Sequence, residues 1–206
     1  MNYHRLLFLV YILVLIWSVI NPLDYFTWML EIFPAIAGLA ILILTYRKFR
    51  FTDVVYTLIL LHCCILFVGG HYTYARVPLF EWLRPVFHWQ RNNYDKLGHF
   101  AQGFVPAFIA RELYIRRNIV RPGAWTAVLT VATCLSISLL YELFEWVVAL
   151  ASGQNADAFL GTQGDPWDTQ SDMAFALLGA LCMVFLFAGM HNRMIARLAS
   201  GEASRP

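Results

Sequence analysis

Charge is scarce in this chain. Asp, Glu, Lys and Arg make up 14% of its 206 residues, where a soluble domain carries about 25%. The net charge of +2 leaves no basic stripe of the kind that binds nucleic acid, so no nucleic-acid partner is expected. Cysteine is equally sparse. Cys63, Cys64, Cys134 and Cys182 lie within apolar runs without CxxC or any other ligand spacing, which excludes a thiolate metal site and leaves small packing residues. There is no H-E-x-x-H, no Walker loop, no G-x-S-x-G and no lipid-phosphatase signature, so the familiar hydrolytic and phosphate-cradling machineries are missing. Tandem repeats and low-complexity tracts are absent too.

What the chain has instead is apolar length. Hydrophobic residues reach 60% and the mean hydropathy is +0.59. Its apolar runs approach the ~20 residues that a helix needs to cross a ~30 Å hydrocarbon layer. The expected fold is all-α, a polytopic membrane helix bundle forming one integral membrane domain over residues 1–206. Six transmembrane helices are expected at approximately 6–20, 26–46, 54–70, 97–115, 124–151 and 173–190. The amino-terminal stretch resembles a signal peptide but lacks a small-x-small cleavage site, and is read as a retained first helix.

Lysine and arginine set the orientation. Arg5, Arg47, Lys48, Arg50, Arg116, Arg117, Arg121, Arg193, Arg197 and Arg205 fall on one side of the six-helix arrangement, against Arg76, Arg84, Arg91 and Lys96 on the other. The positive-inside rule then places both termini in the cytoplasm of a bacterial inner (plasma) membrane. Of the two long outer connections, His71–Lys96 is rich in Trp and Tyr and suits the headgroup level. The other, Ser152–Asp172, carries only acidic charge.

Ionisable residues at membrane depth cost about 2.5–3.5 kcal/mol each on insertion scales, so a cluster of them needs partners or a purpose. Asp95, His99 and Gln102 share one helical face at the start of the fourth run, with Lys96 on the neighbouring face. Glu142 and Glu145 share a stripe with Ser138 in the outer half of the fifth. Asp165, Asp168 and Asp172 lead into the sixth, whose Gly179 permits close helix approach. Asp168 also suits helix-capping chemistry. Asp95, four residues before His99, is placed to fix that imidazole's tautomer. Arg111 and Glu112 read as interfacial and His62 as a hydrogen-bonded core histidine. His71 and His88 sit at loop edges, and Trp146 and Trp167 read as interface anchors.

Two interpretations compete. One is a static network in which Lys96 and Arg84 neutralise the carboxylates. The other is an outward-facing pocket whose ligand-binding candidates are Asp95, Lys96, His99, Gln102, Glu142, Glu145, Asp168 and Asp172. The pocket suits an envelope lipid or amphiphile, with Lys96, Arg84 and Arg91 taking a phosphate and the carboxylates and Gln102 taking hydroxyls or amines. The alternative is a membrane-embedded hydrolase or transferase on an envelope lipid, with His99 as base or nucleophile, Glu142 as acid and Lys96 stabilising developing charge. A divalent metal on His99, Glu142, Glu145 and Asp172 would suit that chemistry. A transporter is the third class, disfavoured because the polar stripe keeps to one leaflet and no inverted repeat is visible.

The segments "YDKLGHFAQGF", "YELFEW" and "GDPWDTQSDM" resemble the signature of the YjdF family of uncharacterised bacterial inner-membrane proteins, over essentially the whole length. A more distant likeness, over the last three crossings, is to VanZ-like membrane proteins. These share D-K-x-x-H-F (here Asp95, Lys96, His99 and Phe100), a glutamate (Glu142 or Glu145) and a later aspartate with glycine (Asp172, Gly179). The VanZ pattern commonly has an asparagine between that aspartate and glycine, and "DMAFALLGA" has none. VanZ-like proteins are associated with resistance to lipid-linked glycopeptide antibiotics, so the resemblance implies an envelope-facing site and names no activity.

Overall fold

The computed structural model describes residues 3–152 and 163–203. Ten positions of the acidic Ser152–Asp172 connection, 153–162, lie outside the described residues. The first part of the chain forms α1 (Tyr3–Val19), α2 (Tyr25–Thr45) and α3 (Asp53–His71). A short α4 (Pro78–Phe87) leads to α5 (Tyr94–Arg116) and α6 (Ala124–Ser152). Then α7 (Asp168–Cys182) runs through a π-helical turn, Met183–Phe187, straight into α8 (Ala188–Ala203).

Local chemistry explains several boundaries. Asp24 caps α2 by accepting from the Thr27 amide at 2.6 Å, satisfying one of the free donors of the first turn. Within the aromatic-rich outer connection, Pro78 starts α4 at a position where its missing N–H costs nothing. His88 ends that helix in the left-handed region at φ 56°.

Tyr25–Thr45, Asp53–His71, Ala124–Ala151 and Asp168–Ser200 are long and apolar enough to cross a membrane, with mean hydropathies of 2.0, 2.0, 1.8 and 2.4. The shorter apolar α1 joins them, and Leu13, Ile41, Leu44, Leu140 and Phe185 are exposed around the outside, as lipid-facing side chains must be. The molecule is a polytopic helical membrane protein. Against the six expected crossings, α5 differs in kind: its 23 residues include Asp95, Lys96, Arg111, Glu112 and Arg116. The first four of these are buried, so α5 reads as polar because its charges point into protein.

Helix α5 is the axis of the bundle, packing on α3, α6 and α7, while α3 also holds α1 and α2. Small residues bring α5 and α7 together. A methyl group on Gly103 would collide with the Ala176 carbonyl, and one on Gly179 with the Phe100 carbonyl. Beside this contact Phe51, Val55, Ala107, Phe108, Cys134, Ala180 and Met183 form one apolar core. Tyr11, Ile32, Ala35, Cys63 and Phe67 form another among α1, α2 and α3.

At the α8 end, Arg111 and Glu112 are not interfacial, as the sequence pattern suggested. Glu112 is fully buried. It accepts from the Thr52 amide and hydroxyl at 2.9 and 2.7 Å, from Arg116 at 2.9 Å and from His191 at 3.1 Å. Arg111 donates to His191 Nδ1 at 3.3 Å, and since guanidinium only donates, His191 carries its proton on Nε2 and passes it toward Glu112. Every lone pair of a costly buried carboxylate is thereby met.

Candidate functional site

At the other end of α5, two basic side chains are set among aspartates. Arg91, in the turn before α5, pairs with both Asp95 and Asp168 and lies 3.7 Å from the more exposed Asp165. Lys96 Nζ sits 2.7 Å from Asp168 Oδ1, 2.8 Å from Asp172 Oδ1 and 3.2 Å from Asp95 Oδ2. Arg91, Asp95, Lys96, Asp168 and Asp172 are all buried. The turn itself is fixed by Asn92, whose side-chain amide donates to the Val77 carbonyl and to Glu81 at 3.1 and 3.0 Å. Gln163 closes a two-way contact with the Asn92 backbone.

Two sequence expectations change here. Arg84 does not reach these carboxylates: it pairs with Glu81 at 2.9 Å and donates to the Gln90 carbonyl. The cation that does the neutralising beside Lys96 is Arg91. Asp95, expected to orient His99, is instead committed to Arg91, Lys96 and the Lys96 amide.

One turn deeper, His99 Nδ1 is 2.9 Å from Gln102 Oε1. A side-chain carbonyl can only accept, so Nδ1 carries the proton and Nε2 presents its lone pair. Nε2 lies 3.6 Å from Asp172 Oδ1, and Glu142 Oε1 is 3.9 Å from the ring's other nitrogen. Glu142 is 8% exposed, and its Oε1, like the hydroxyl of Ser138 one turn earlier, is buried without a hydrogen-bond partner. The three predicted stripes, on α5, α6 and α7, therefore do meet.

Beside them opens a cavity of about 430 Å³. His99, Gln102, Glu145, Asp95, Asp168 and Asp172 line it, as predicted residues, and Glu31, His62, Tyr74 and Tyr141 join them. Glu31 accepts from Tyr141 at 3.2 Å and from Tyr74. The Tyr74 ring fits because Gly69 and Gly98 lack side chains: a methyl group on Gly98 would stand 3.1 Å from it, and one on Gly69 would overlap it. That gives the glycine of "DKLGHF" a reason. His62 belongs to the cavity wall and not to a closed core. Tyr141 could have been found from sequence, standing four residues before Glu145 on one face of α6; Glu31 and Tyr74 could not, because nothing in a sequence says that α2 and α6 share a cavity.

Other residues play local parts. His71 donates to or accepts at the Ser18 carbonyl, 3.0 Å away, and stacks on Trp17. Asp168 is the first residue of α7, but its carboxylate serves Arg91 and Lys96. Trp146 and Trp167 point outward.

The sequence matches, over residues 3–193, the family described as "Predicted membrane protein (DUF2238)". It is also 50% identical over 185 residues to "Inner membrane protein YjdF" of Escherichia coli (strain K12), covering 90% of this chain and 88% of that protein. No solved structure matches.

Proposed function

Because the chain belongs to the DUF2238 family of predicted membrane proteins, we propose that it binds the head of an envelope lipid or other amphiphile from within the inner membrane. In this reading the chain crosses six times with both termini in the cytoplasm, and the acidic cavity faces the periplasm. The Lys/Arg distribution supports that orientation.

The observation that carries the reading is charge imbalance in a half-apolar cavity. At this end Glu31, Asp95, Glu142, Glu145, Asp168 and Asp172 are buried, against Arg91 and Lys96. Both cations are already spent on aspartates. A phosphate, which the sequence alone made attractive, would have to displace those aspartates; an amine or a set of hydroxyls would be met by Glu31, Glu145 and the two tyrosines. The remaining walls are apolar. Phe33 and Leu140 line the cavity while 61% and 65% exposed, so it opens sideways between α2 and α6, toward acyl chains.

Native mass spectrometry of protein extracted in mild detergent tests this. A discrete amphiphile mass on the wild type, reduced at least tenfold in Glu31→Gln and Glu145→Gln, is expected. Wild type and variants carrying the same unselective lipid adducts would overturn the reading.

A second reading, hydrolysis or transfer on such a lipid, is favoured by His99 standing at the cavity with an accepting Nε2 and two carboxylates close by. It requires a new product from a defined envelope-lipid mixture with wild type and none with His99→Ala.

A further inference from the structure

Among the described residues two groups bring three metal-capable side chains together: Asp95, Asp168 and Asp172, and His99, Glu142 and Asp172. The first already holds a cation, since the Lys96 ammonium lies within 3.2 Å of a carboxylate oxygen on each of its members. The second holds none. One ligand atom from each of its three residues lies within 4.8 Å of the others, yet Glu142 Oε1 is buried and unpartnered.

We infer that His99, Glu142 and Asp172 form a divalent-cation site at the floor of the cavity, with Zn²⁺ or Mn²⁺ as the fitting ions. Four observations support it. An isolated buried carboxylate oxygen facing an imidazole at 3.9 Å is too far for a hydrogen bond and costly to leave unmet. A cation between the two groups would answer both. The histidine is oriented as metal-binding histidines are, with the proton of one ring nitrogen engaged by a carbonyl oxygen, here Gln102 at 2.9 Å, and the other nitrogen free to ligate. Asp172 is itself held, by Lys96 at 2.8 Å, which leaves its second oxygen to the ion and supplies the outer-shell support such ligands need.

The donor set narrows the ion. One imidazole nitrogen and two carboxylates suit Zn²⁺ or Mn²⁺, while the absence of thiolate disfavours softer ions. Bonds of about 2.0–2.2 Å would draw the ligand atoms to roughly 3–3.5 Å apart, a contraction within reach of side-chain rotation. Three protein ligands leave a position open, and His99 and Asp172 line the cavity, so that position faces it. Glu145, which the sequence offered as a fourth ligand, is not in the cluster. The inference deepens the amphiphile-binding reading and rests on it only for the cavity as the path from water.

Protein purified without chelator is analysed by elemental mass spectrometry and by native mass spectrometry, then stripped with EDTA and titrated with ZnCl₂ or MnCl₂ while its melting temperature is followed. About one Zn or Mn per chain is expected in the wild type and less than a tenth of that in Glu142→Gln and His99→Ala. EDTA should lower the wild-type melting temperature by several degrees, and the added ion should restore it. If the wild type holds no metal and its melting temperature responds to neither ion, or if both variants bind as much as the wild type, the inference is overturned. The wild-type titration decides the matter even if a variant does not fold. The same native spectra show the amphiphile mass separately, so loss of metal binding with the amphiphile retained sinks this site alone.

Discussion

Glu112 and His191 lie at opposite parts of the chain and meet at 3.1 Å, both fully buried. The contact ties α5 to α8, and through Thr52 it also reaches the start of α3. Removing one partner strands the other: Glu112→Ala is expected to cost about 3–5 kcal/mol. A double-mutant cycle with His191→Ala, read by thermal melting in detergent, should show a coupling of about 0.5–3 kcal/mol. Additive losses would mean the two act independently.

Lys96 is the shared counter-ion of three aspartates. Lys96→Met should destabilise by about 3–5 kcal/mol, because it leaves buried carboxylates unbalanced. Adding Asp168→Asn should recover a large part of that loss, since it removes one of the stranded charges. Melting curves of the single and double variants decide it; a double variant less stable than Lys96→Met counts against a charge-balance role.

The α5–α7 contact depends on missing side chains. Gly103→Ala and Gly179→Ala each drive a methyl group into a facing carbonyl, and each should cost about 1–3 kcal/mol as overpacking. Gly38→Ala, where nothing stands within 4 Å, should leave the melting temperature unchanged or slightly raised and serves as the control.

Glu81, in α4 and outside the spanning helices, gives a pH-dependent outcome. Hydrogen bonding from Asn92 chiefly, with Arg84 adding to it against partial desolvation, holds its carboxyl below the usual 4.5. A lowered folded value means that its contribution is fully present above 4.5 and is lost as pH falls through that lower value. Amide exchange in α4 should therefore quicken, after correction for intrinsic rates, as pH drops below 4.5. In Glu81→Gln the corrected profile should be flat.

Orientation can be read chemically. With the native cysteines replaced, Leu79→Cys in α4 should react with a membrane-impermeant maleimide on intact spheroplasts, and Arg197→Cys in α8 only after lysis. The reverse pattern would invert the proposed topology.

Much of the helix-bundle character was legible because the sequence spends its apolar residues in long runs. The meeting of α5, α6 and α7 was legible for a different reason: Asp95/His99/Gln102, Glu142/Glu145 and Asp168/Asp172 repeat at three- and four-residue spacing, which fixes a face. What spacing cannot supply is which neighbour a long side chain chooses. Arg84 and Arg91 both looked available to the aspartates, yet Asn92 and the αL turn at His88 send Arg84 back to Glu81 and Arg91 inward. Glu112 looked interfacial because its position in the run is close to the end; only the fold shows Thr52 and His191 covering it.

The π-helical turn at Met183–Phe187 works as a phase adjuster. An α-helix advances about 100° per residue, and a wider turn takes up an extra residue without carrying the interacting face around. Asp172 before the turn and His191 after it both answer to α5, so the two polar assemblies, one at each end of the bundle, are keyed to a single shaft. Deleting one residue from that turn would swing everything beyond it by about a quarter of a rotation, turning His191 and Asn192 away from Arg111 while leaving the aspartates in register. Length in this segment is therefore under tighter constraint than identity: its Val, Leu and Phe side chains can be exchanged for one another far more cheaply than one of them can be lost.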